Sequence, residues 1–311
     1  MFKPHTRLSF RHNKQNVKER MMGVSGLKIA VCQMLVRENP ADNLAHAAEL
    51  VRQAAEQAAE VVILPEMFTI PYSLRAMKAH AFKLPGKVVP ELASLARENG
   101  VLLVAGSLPE EYENGRYYNT NLVFSPEGKL LSRYRKTHLF DIDLPGRVSF
   151  QESAVLSAGE TLSVIHYGDW TFAVLICYDA RFPELFRLAV EKGAGLICIP
   201  ASFAKVTGEM HWELTMRCRA VDHQVFVAAA STARNPENDF QPWAHSLIAD
   251  PWGRVLAQAE TDEALIFAEL DEQVLAQARQ ELPLLKHRRP ELYELLPHME
   301  IIEVSCPRRQ G

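Results

Sequence analysis

The buried strands that this sequence predicts are apolar on both faces. The runs Val61–Leu64 and Gly195–Pro200 contain no polar residue at alternating positions. A strand with one face in water would alternate apolar and polar side chains, so both faces of these strands must be covered by other parts of the protein. The chain therefore has to fold into several layers, with the sheets in the interior.

Predicted helices alternate with these strands, but hairpins interrupt the alternation. Hairpins are predicted at residues 121–134, 162–176 and 245–258, where two strands flank a tight turn. Because a purely parallel sheet contains no hairpins, we predict an α/β fold with two mixed β-sheets packed face to face and helices outside. The predicted helices are Asn43–Glu60, Val89–Asn99, Phe182–Lys192, Glu209–His223 and Asp271–Gln280.

The chain divides into one folded domain and two terminal segments. No glycine- or serine-rich linker interrupts residues 27–295, which we interpret as a single domain. Residues 1–26 carry six basic residues and one acidic residue. We interpret them as a disordered extension, or as the result of an upstream start codon with translation beginning at Met21 or Met22; a targeting peptide is the alternative. Residues 296–311 form a C-terminal tail.

The composition excludes several classes of function. A net charge of −4 argues against nucleic acid as the main partner, which requires a basic surface. No apolar run approaches the roughly 18 residues that cross a membrane, so no membrane interaction is expected. The five cysteines are odd in number and widely spaced, and the first residues lack the apolar middle of a secretory leader. We therefore expect reduced thiols in a cytoplasm.

Three of the predicted strands end in a reactive side chain. Glu66 follows Ile63-Leu-Pro, Lys136 follows Tyr134-Arg, and Cys177 follows an apolar run and opens a polar turn. Ligand sites in layered α/β folds lie beyond the carboxyl ends of strands, so these three side chains can meet there. Each residue could also have a purely structural role: a glutamate that caps a turn, a solvated lysine, and an inert buried thiol.

These motifs resemble the nitrilase superfamily of carbon–nitrogen hydrolases. The resemblance rests on Leu-Pro-Glu66, on Tyr134-Arg-Lys136-x-His-Leu-Phe and on Cys177-Tyr-Asp-x-Arg-Phe, and it covers about residues 28–295. Within the superfamily the chain is most similar to the branch of omega-amidases and deaminated-glutathione amidases. The strings that support this branch are Lys136-Thr-His-Leu-Phe-Asp-Ile-Asp-Leu-Pro-Gly146, Phe150-Gln-Glu152-Ser, His211-Trp-Glu213 and Asp250-Pro-Trp-Gly253.

The resemblance implies both a fold and a set of residue roles. The fold is a four-layer αββα sandwich, assembled as a homodimer or a higher homo-oligomer through the face that bears the cysteine, with no metal and no organic cofactor. Cys177 corresponds to the nucleophile, Glu66 to the general base and Lys136 to their electrostatic partner. Glu152 corresponds to an additional glutamate that positions the lysine and the substrate.

The chemistry of amide hydrolysis agrees with these roles. An amide carbonyl is a poor electrophile, so a thiolate is a useful nucleophile; it forms when a base takes the proton or when a nearby cation lowers the thiol pKa. Lys136 and the N–H of Tyr178 can then hold the developing oxyanion. Among the candidate substrate-binding residues, Tyr72 can hydrogen-bond the substrate and Arg181 can bind its carboxylate. Arg181 can equally pair with Asp179 or with a helix end.

The substrate predicted from this branch is a small amide that carries a carboxylate. Omega-amidases release ammonia from 2-oxoglutaramate and 2-oxosuccinamate. Deaminated glutathione and N-carbamoyl amides are the alternatives. An alternative of another class is a catalytically silent protein of the same fold that binds a partner, although intact Glu66, Lys136 and Cys177 argue against it.

Other constellations of residues have weaker support. A Cys–His pair would use one of the histidines His138, His211, His223 and His245. Asp141 and Asp143 have a spacing that two metal ligands can have, but no second cluster supports a metal site, and the turn at Leu144-Pro-Gly146 also accounts for them. The tryptophans Trp212, Trp243 and Trp252 lack the basic residues that a site for stacked bases requires.

Overall fold

A computed structural model describes residues 26–293 and 299–308. Apart from Gly26, the predicted basic extension over residues 1–26 lies outside the described residues. None of the helices in this part of the chain is both long enough and apolar enough to cross a bilayer.

The helices largely follow the predicted pattern and differ at their ends. The first helix begins at Pro40, three residues earlier than predicted, because Asn39 caps it by accepting a hydrogen bond from the N–H of Ala41. Leu74–Ala79 is a short helix that the sequence pattern did not predict. The six helices of the described residues are α1 (Pro40–Glu56), α2 (Leu74–Ala79), α3 (Val88–Asn99), α4 (Pro183–Glu191), α5 (Lys205–His223) and α6 (Glu272–Glu281).

Two seven-stranded mixed sheets form the interior. The first contains β1 (Leu27–Gln33), β2 (Val61–Ile63), β3 (Phe82–Lys83), β4 (Leu102–Glu111), β5 (Tyr117–Phe124), β6 (Leu130–Arg135) and β15 (Ala264–Leu270). The second contains β9 (Thr161–Tyr167), β10 (Trp170–Val174), β11 (Leu196–Ala201), β12 (Phe226–Ser231), β13 (Leu247–Ala249), β14 (Val255–Gln258) and β16 (Glu300–Cys306). The strands β7 (Asp141–Leu144) and β8 (Val148–Gln151) form a separate hairpin.

Alternate residues of one strand enter different cores, which is why the strands lack polar alternation. Val61 and Ile63 of β2 face the second sheet and pack with Phe172 and Leu196. Val62 between them packs against the helices α1 and α3. The outer face of the second sheet packs in the same way on α4 and α5. The predicted four-layer αββα sandwich is therefore confirmed.

The C-terminal tail contributes a strand that the sequence pattern did not predict. Residues Glu300–Cys306 form β16, which pairs in parallel with the whole of β9 at the edge of the second sheet. Cys306 at its end is buried in the core between the two sheets. The tail thus covers an edge of the sheet that would otherwise offer unpaired backbone groups to other chains.

Candidate active site

The predicted site residues follow strands whose carboxyl ends lie at one edge of the sandwich. In the first sheet, β2 is parallel to β4, and β6 runs in the same direction because β5 is antiparallel to both β4 and β6. Glu66 and Lys136 follow β2 and β6, and Cys177 follows β10 of the second sheet. A backbone hydrogen bond from Glu66 N to Ala201 O (3.4 Å) links the two sheets here.

The Lys136 ammonium lies at the centre of the site. Its side chain is fully buried, so the alternative of a solvated surface charge is wrong. Its Nζ is 2.8 Å from Oε1 of Glu66 and 2.9 Å from Oε2 of Glu152, and both carboxylates are also fully buried. Buried charges are stable only when they are paired and hydrogen-bonded, and this cation satisfies both conditions.

Glu152 and Tyr72 complete the surroundings of the lysine. Glu152 lies directly after β8 and accepts a hydrogen bond from the N–H of Phe140 (2.6 Å). The Tyr72 hydroxyl donates to Oε1 of Glu152 (3.3 Å) and accepts from Nζ of Lys136 (3.4 Å). Both residues therefore act on the position of Lys136, and Tyr72 in addition lines a cavity beside Glu66.

Cys177 occupies a strained turn between β10 and α4. Its φ angle is +45°, in a left-handed region that residues with a side chain rarely adopt, and a short 3₁₀ helix runs from Cys177 to Arg181. Only 4% of the residue is exposed. The Glu66 carboxylate and the Ser202 N–H lie close enough to its thiol to shift the thiol pKa, the carboxylate upward and the N–H downward. The turn thus directs the sulfur at the glutamate.

Burial and the neighbouring charges determine where the protons lie. Burial raises the pKa of the Cys177 thiol well above its ordinary value, and the Glu66 carboxylate adds to this effect while Lys136 opposes it. Burial opposes the charge on Lys136, but Glu152 and Glu66 outweigh it and hold the lysine pKa well above its ordinary value. Of the two expected routes to a thiolate, the structure favours proton transfer to a base over a lowered thiol pKa.

Glu66 is suited to accept that proton. Burial raises the pKa of its carboxyl, Lys136 lowers it, and Glu152 raises it, with a net upward shift. A carboxyl with a raised pKa is a stronger base than an ordinary glutamate and can return the proton as an acid. The arrangement can therefore move one proton between the sulfur and a leaving group without changing the total charge of the site.

Two residues that the sequence pattern did not identify hold Glu66 in place. The amide of Asn119 in β5 donates to Oε1 of Glu66 (2.8 Å) and to Oε1 of Glu152 (3.3 Å). The N–H of Ser202 donates to the other oxygen, Oε2 of Glu66 (2.8 Å). The polar run Asn119-Thr-Asn121 in a buried strand was a usable signal, because polar side chains inside a sheet normally have partners.

Asp179 ties the cysteine turn to the strand that carries Lys136. Its carboxylate is fully buried and accepts from the Tyr134 hydroxyl (2.7 Å), from the Ile176 N–H (3.0 Å) and from the His138 N–H (2.9 Å). Its Oδ1 also lies 2.9 Å from Nδ1 of His138. These contacts join the segments on either side of the site.

Arg181 and Tyr178 line a cavity that reaches Cys177. Phe140, Ser202 and Phe203 are among the other lining residues. The Arg181 guanidinium lies 4.7 Å from the centre of the Phe203 ring and 3.3 Å from Nδ1 of His211. Asp179 is fully engaged elsewhere, so the predicted alternative of an Arg181–Asp179 pair is wrong. Within the described part of the chain, no carboxylate is among the groups that act on the charge of this guanidinium.

The four histidines of the competing constellations and Asp141 contact other groups of the fold. His138 contacts Asp179, and His211 contacts Arg181. The ring of His223 stacks on Phe186, and the ring of His245 packs at a tilt against Trp243. Asp141 accepts a hydrogen bond from the N–H of Ser153 (3.0 Å) across the base of the β7–β8 hairpin. In residues 26–293 and 299–308, no three histidine, cysteine or acidic side chains are grouped as metal ligands would be.

A comparison with protein families agrees with this geometry. The family model for carbon–nitrogen hydrolases matches residues 28–280. The chain belongs to the carbon–nitrogen hydrolase family. This confirms the prediction from the motifs, and the protein is a hydrolase that acts on carbon–nitrogen bonds.

Members of the carbon–nitrogen hydrolase family with assigned activities are close in sequence. The omega-amidase NIT2 of Danio rerio is 45% identical over 272 residues, which are 88% of this chain and 98% of that relative. The omega-amidase NIT2 of Mus musculus is 43% identical over 270 residues, which are 87% of this chain and 98% of that relative.

Solved structures of this family superpose on most of the chain. Nit3 of Saccharomyces cerevisiae, a member of branch 10 of the nitrilase superfamily, has a TM-score of 0.79 at 37% identity and covers 85% of this chain and 97% of its own. A mutant amidase from Nesterenkonia sp. AN1 has a TM-score of 0.74 at 26% identity, with 86% of this chain and 96% of its own covered. That amidase carries the acetamide moiety of fluoroacetamide covalently at its active-site cysteine.

Proposed function

We propose that this hydrolase is an omega-amidase that converts a small carboxylate-bearing amide to an acid and ammonia. Cys177 is the nucleophile, Glu66 the general base and acid, and Lys136 the electrostatic partner of both. The observation that carries the proposal is the position of one buried carboxylate, that of Glu66, which lies 2.8 Å from the lysine ammonium and close enough to the Cys177 thiol to raise the thiol pKa. The NIT2 relatives at 43–45% identity support the amide class.

In the first half of the reaction, the enzyme forms a thioester. Glu66 takes the proton of the Cys177 thiol, and the sulfur attacks the amide carbonyl carbon. The carbonyl oxygen becomes negative, and the Lys136 ammonium and the Tyr178 N–H stabilise it, an effect worth about 3–4 kcal/mol per donor removed. Glu66 then gives its proton to the departing nitrogen, the carbon–nitrogen bond breaks, and ammonia leaves.

In the second half, water clears the thioester. Glu66, which is again a carboxylate, takes a proton from a water molecule whose oxygen attacks the carbonyl carbon. The carbon–sulfur bond breaks, and the thiolate recovers a proton from Glu66. Glu152 remains a carboxylate throughout and balances the charge of Lys136.

Arg181 is the proposed site for the far carboxylate of the substrate. It is half-buried in the cavity that Cys177 also lines, and its guanidinium rests on the Phe203 ring. A planar guanidinium binds a carboxylate through two parallel hydrogen bonds, which a lysine cannot reproduce. Arg181→Lys should therefore raise KM strongly and leave kcat within a fewfold. Arg187→Lys, an arginine paired with Glu191 on α4, is the matched control, and an unchanged KM in Arg181→Lys would contradict the assignment.

The activity is tested by ammonia release from four substrates. Wild type and Cys177→Ala are compared on 2-oxoglutaramate, 2-oxosuccinamate, deaminated glutathione and an N-carbamoyl amino acid. We expect release from the two oxo-acid amides that Cys177→Ala abolishes and that Cys218→Ala, a change at an exposed cysteine, retains. Release from only one of the other two substrates would keep the mechanism and replace the substrate. Silence on all four would favour the catalytically silent binding protein.

The exposed face of α5 supports self-association of the chain. Met210 and Leu214 lie one turn apart on this helix and are 61% and 69% exposed. Large apolar side chains exposed together at a helix surface are typical of a protein interface. We infer a homodimer through this face; light scattering of Leu214→Glu should then show a monomer.

We also propose a cytoplasmic location, with which the five free cysteines agree.

A further inference from the structure

A second small cavity lies beside Glu66, separate from the one at Arg181. Its polar lining residues include Glu66, Tyr72, Ser202, Thr232 and Asn238. Its volume of about 10 Å³ is close to the minimum that one water molecule requires. Its polar groups provide the two to four partners that a buried water needs.

The hydrogen bonds around this cavity leave capacity for one more small molecule. The hydroxyls of Ser202 and Thr232 are 2.9 Å apart, and both residues are buried. One hydroxyl donates to the other, so the pair retains one free O–H and unused lone pairs. Oε2 of Glu66 accepts from the N–H of Ser202, and a carboxylate oxygen can accept a further hydrogen bond.

Ser202 also places this cavity next to the reacting sulfur. It lines both the cavity that reaches Cys177 and the cavity beside Glu66, and its N–H donates to Oε2 of Glu66 (2.8 Å). A molecule held between the Thr232 hydroxyl and Glu66 is therefore separated from the sulfur by a single residue. The thioester carbon is bonded to that sulfur, so Ser202 joins the wall of the cavity that holds it to the wall of the cavity beside Glu66.

We propose that this cavity binds the water molecule that hydrolyses the thioester, with Ser202 and Thr232 as its positioning residues. The proposal rests on the thioester mechanism given above. The water donates one proton to Glu66 and its other hydrogen bond to a hydroxyl oxygen of the pair, which leaves a lone pair for attack on the carbonyl carbon. The carbon–sulfur bond breaks, the acid forms, and the proton on Glu66 returns to the sulfur.

Kinetics of Thr232→Val test the role of this cavity. In a thioester mechanism, kcat/KM for ammonia release reports only the first half of the reaction, whereas the amount of acyl-enzyme at steady state reports the second half. Loss of one hydrogen bond to the water should slow hydrolysis of the thioester about tenfold. We expect Thr232→Val to keep kcat/KM within about twofold and to accumulate acyl-enzyme, seen by intact mass spectrometry of quenched reactions.

Two further variants separate positioning from packing. Thr232→Ser keeps the hydroxyl and should restore the wild-type fraction of acyl-enzyme. Ser163→Ala removes a buried hydroxyl on β9, a strand of the second sheet, and should change neither quantity. A fall of kcat/KM in Thr232→Val without extra acyl-enzyme would overturn the water site and indicate a substrate contact. A wild-type kcat/KM together with a wild-type fraction of acyl-enzyme in Thr232→Val would overturn the water site as well. Absence of turnover in the wild type would instead refute the proposed function.

Discussion

Asp179→Asn is expected to destabilise the protein through a single exchanged atom. The carboxylate of Asp179 accepts hydrogen bonds on both oxygens, from the Tyr134 hydroxyl and the Ile176 N–H on one side and from the His138 N–H and ring on the other. An asparagine has the same size but only one acceptor oxygen. Whichever way the amide turns, its NH2 group faces a backbone N–H, that of Ile176 or that of His138.

The magnitude follows from these contacts. A buried donor left without an acceptor costs about 1–3 kcal/mol, and the remaining bonds weaken because their acceptor loses its charge. A total loss of about 2–4 kcal/mol is a large part of an ordinary free energy of unfolding of about 5–15 kcal/mol. For a chain of 311 residues it corresponds to a fall in Tm of about 3–6 °C.

Thermal unfolding followed by circular dichroism measures this effect. Asp141→Asn is the matched control, because that carboxylate also accepts hydrogen bonds but is exposed, and its Tm should change by less than about 2 °C. Activity of Asp179→Asn at a temperature where it is folded should also fall, since Asp179 joins the Cys177 turn to the Lys136 strand. A Tm within about 2 °C of wild type would refute the reasoning.

Three further changes test the geometry of the site. Lys136→Met should lower kcat by about a hundredfold or more, measured as ammonia release, because an oxyanion partner is lost; a near-wild-type kcat would move that role elsewhere. Glu152→Gln should move the acid limb of the profile of kcat/KM against pH to lower pH. That limb reports the ionisation of the general base Glu66, and the charge of Glu152 helps to raise the pKa of Glu66. An unmoved limb would argue against Glu66 as the base. Gly106→Ala should lower Tm far more than Gly115→Ala, since both have a positive φ but a Cβ at Gly106 would lie 2.0 Å from the Pro65 oxygen; equal effects would exclude the clash.

The sequence predicted the layers and the meeting of three side chains because both depend on local patterns. Apolar runs without alternation require two covered faces, and strands that run in the same direction bring their last residues to one edge. Glu66, Lys136 and Cys177 each lie within three residues of the end of a strand, so their approach could be expected. Glu152 was identified only through the resemblance, since the hairpin before it was not predicted.

The features that were missed depend on partners distant in sequence. Asn119 lies in the middle of a strand, and its function arises from two carboxylates 53 and 33 residues away. Strand β16 pairs with β9, which lies more than 130 residues earlier, and no pattern within the tail names that partner. Ser202 and Thr232 directly follow β11 and β12, and their hydroxyls are in contact. In the sequence, each residue alone looks like an ordinary polar residue after a strand.

The left-handed backbone at Cys177 sets stability against reactivity at a single residue. A non-glycine residue in such a conformation costs about 1–3 kcal/mol, which glycine would largely avoid. A screen for heat-resistant variants alone would therefore favour Cys177→Gly, which removes the side chain that the chemistry requires. Engineering for thermal resistance should leave this turn unchanged and add stability elsewhere, for example at the exposed ends of the helices.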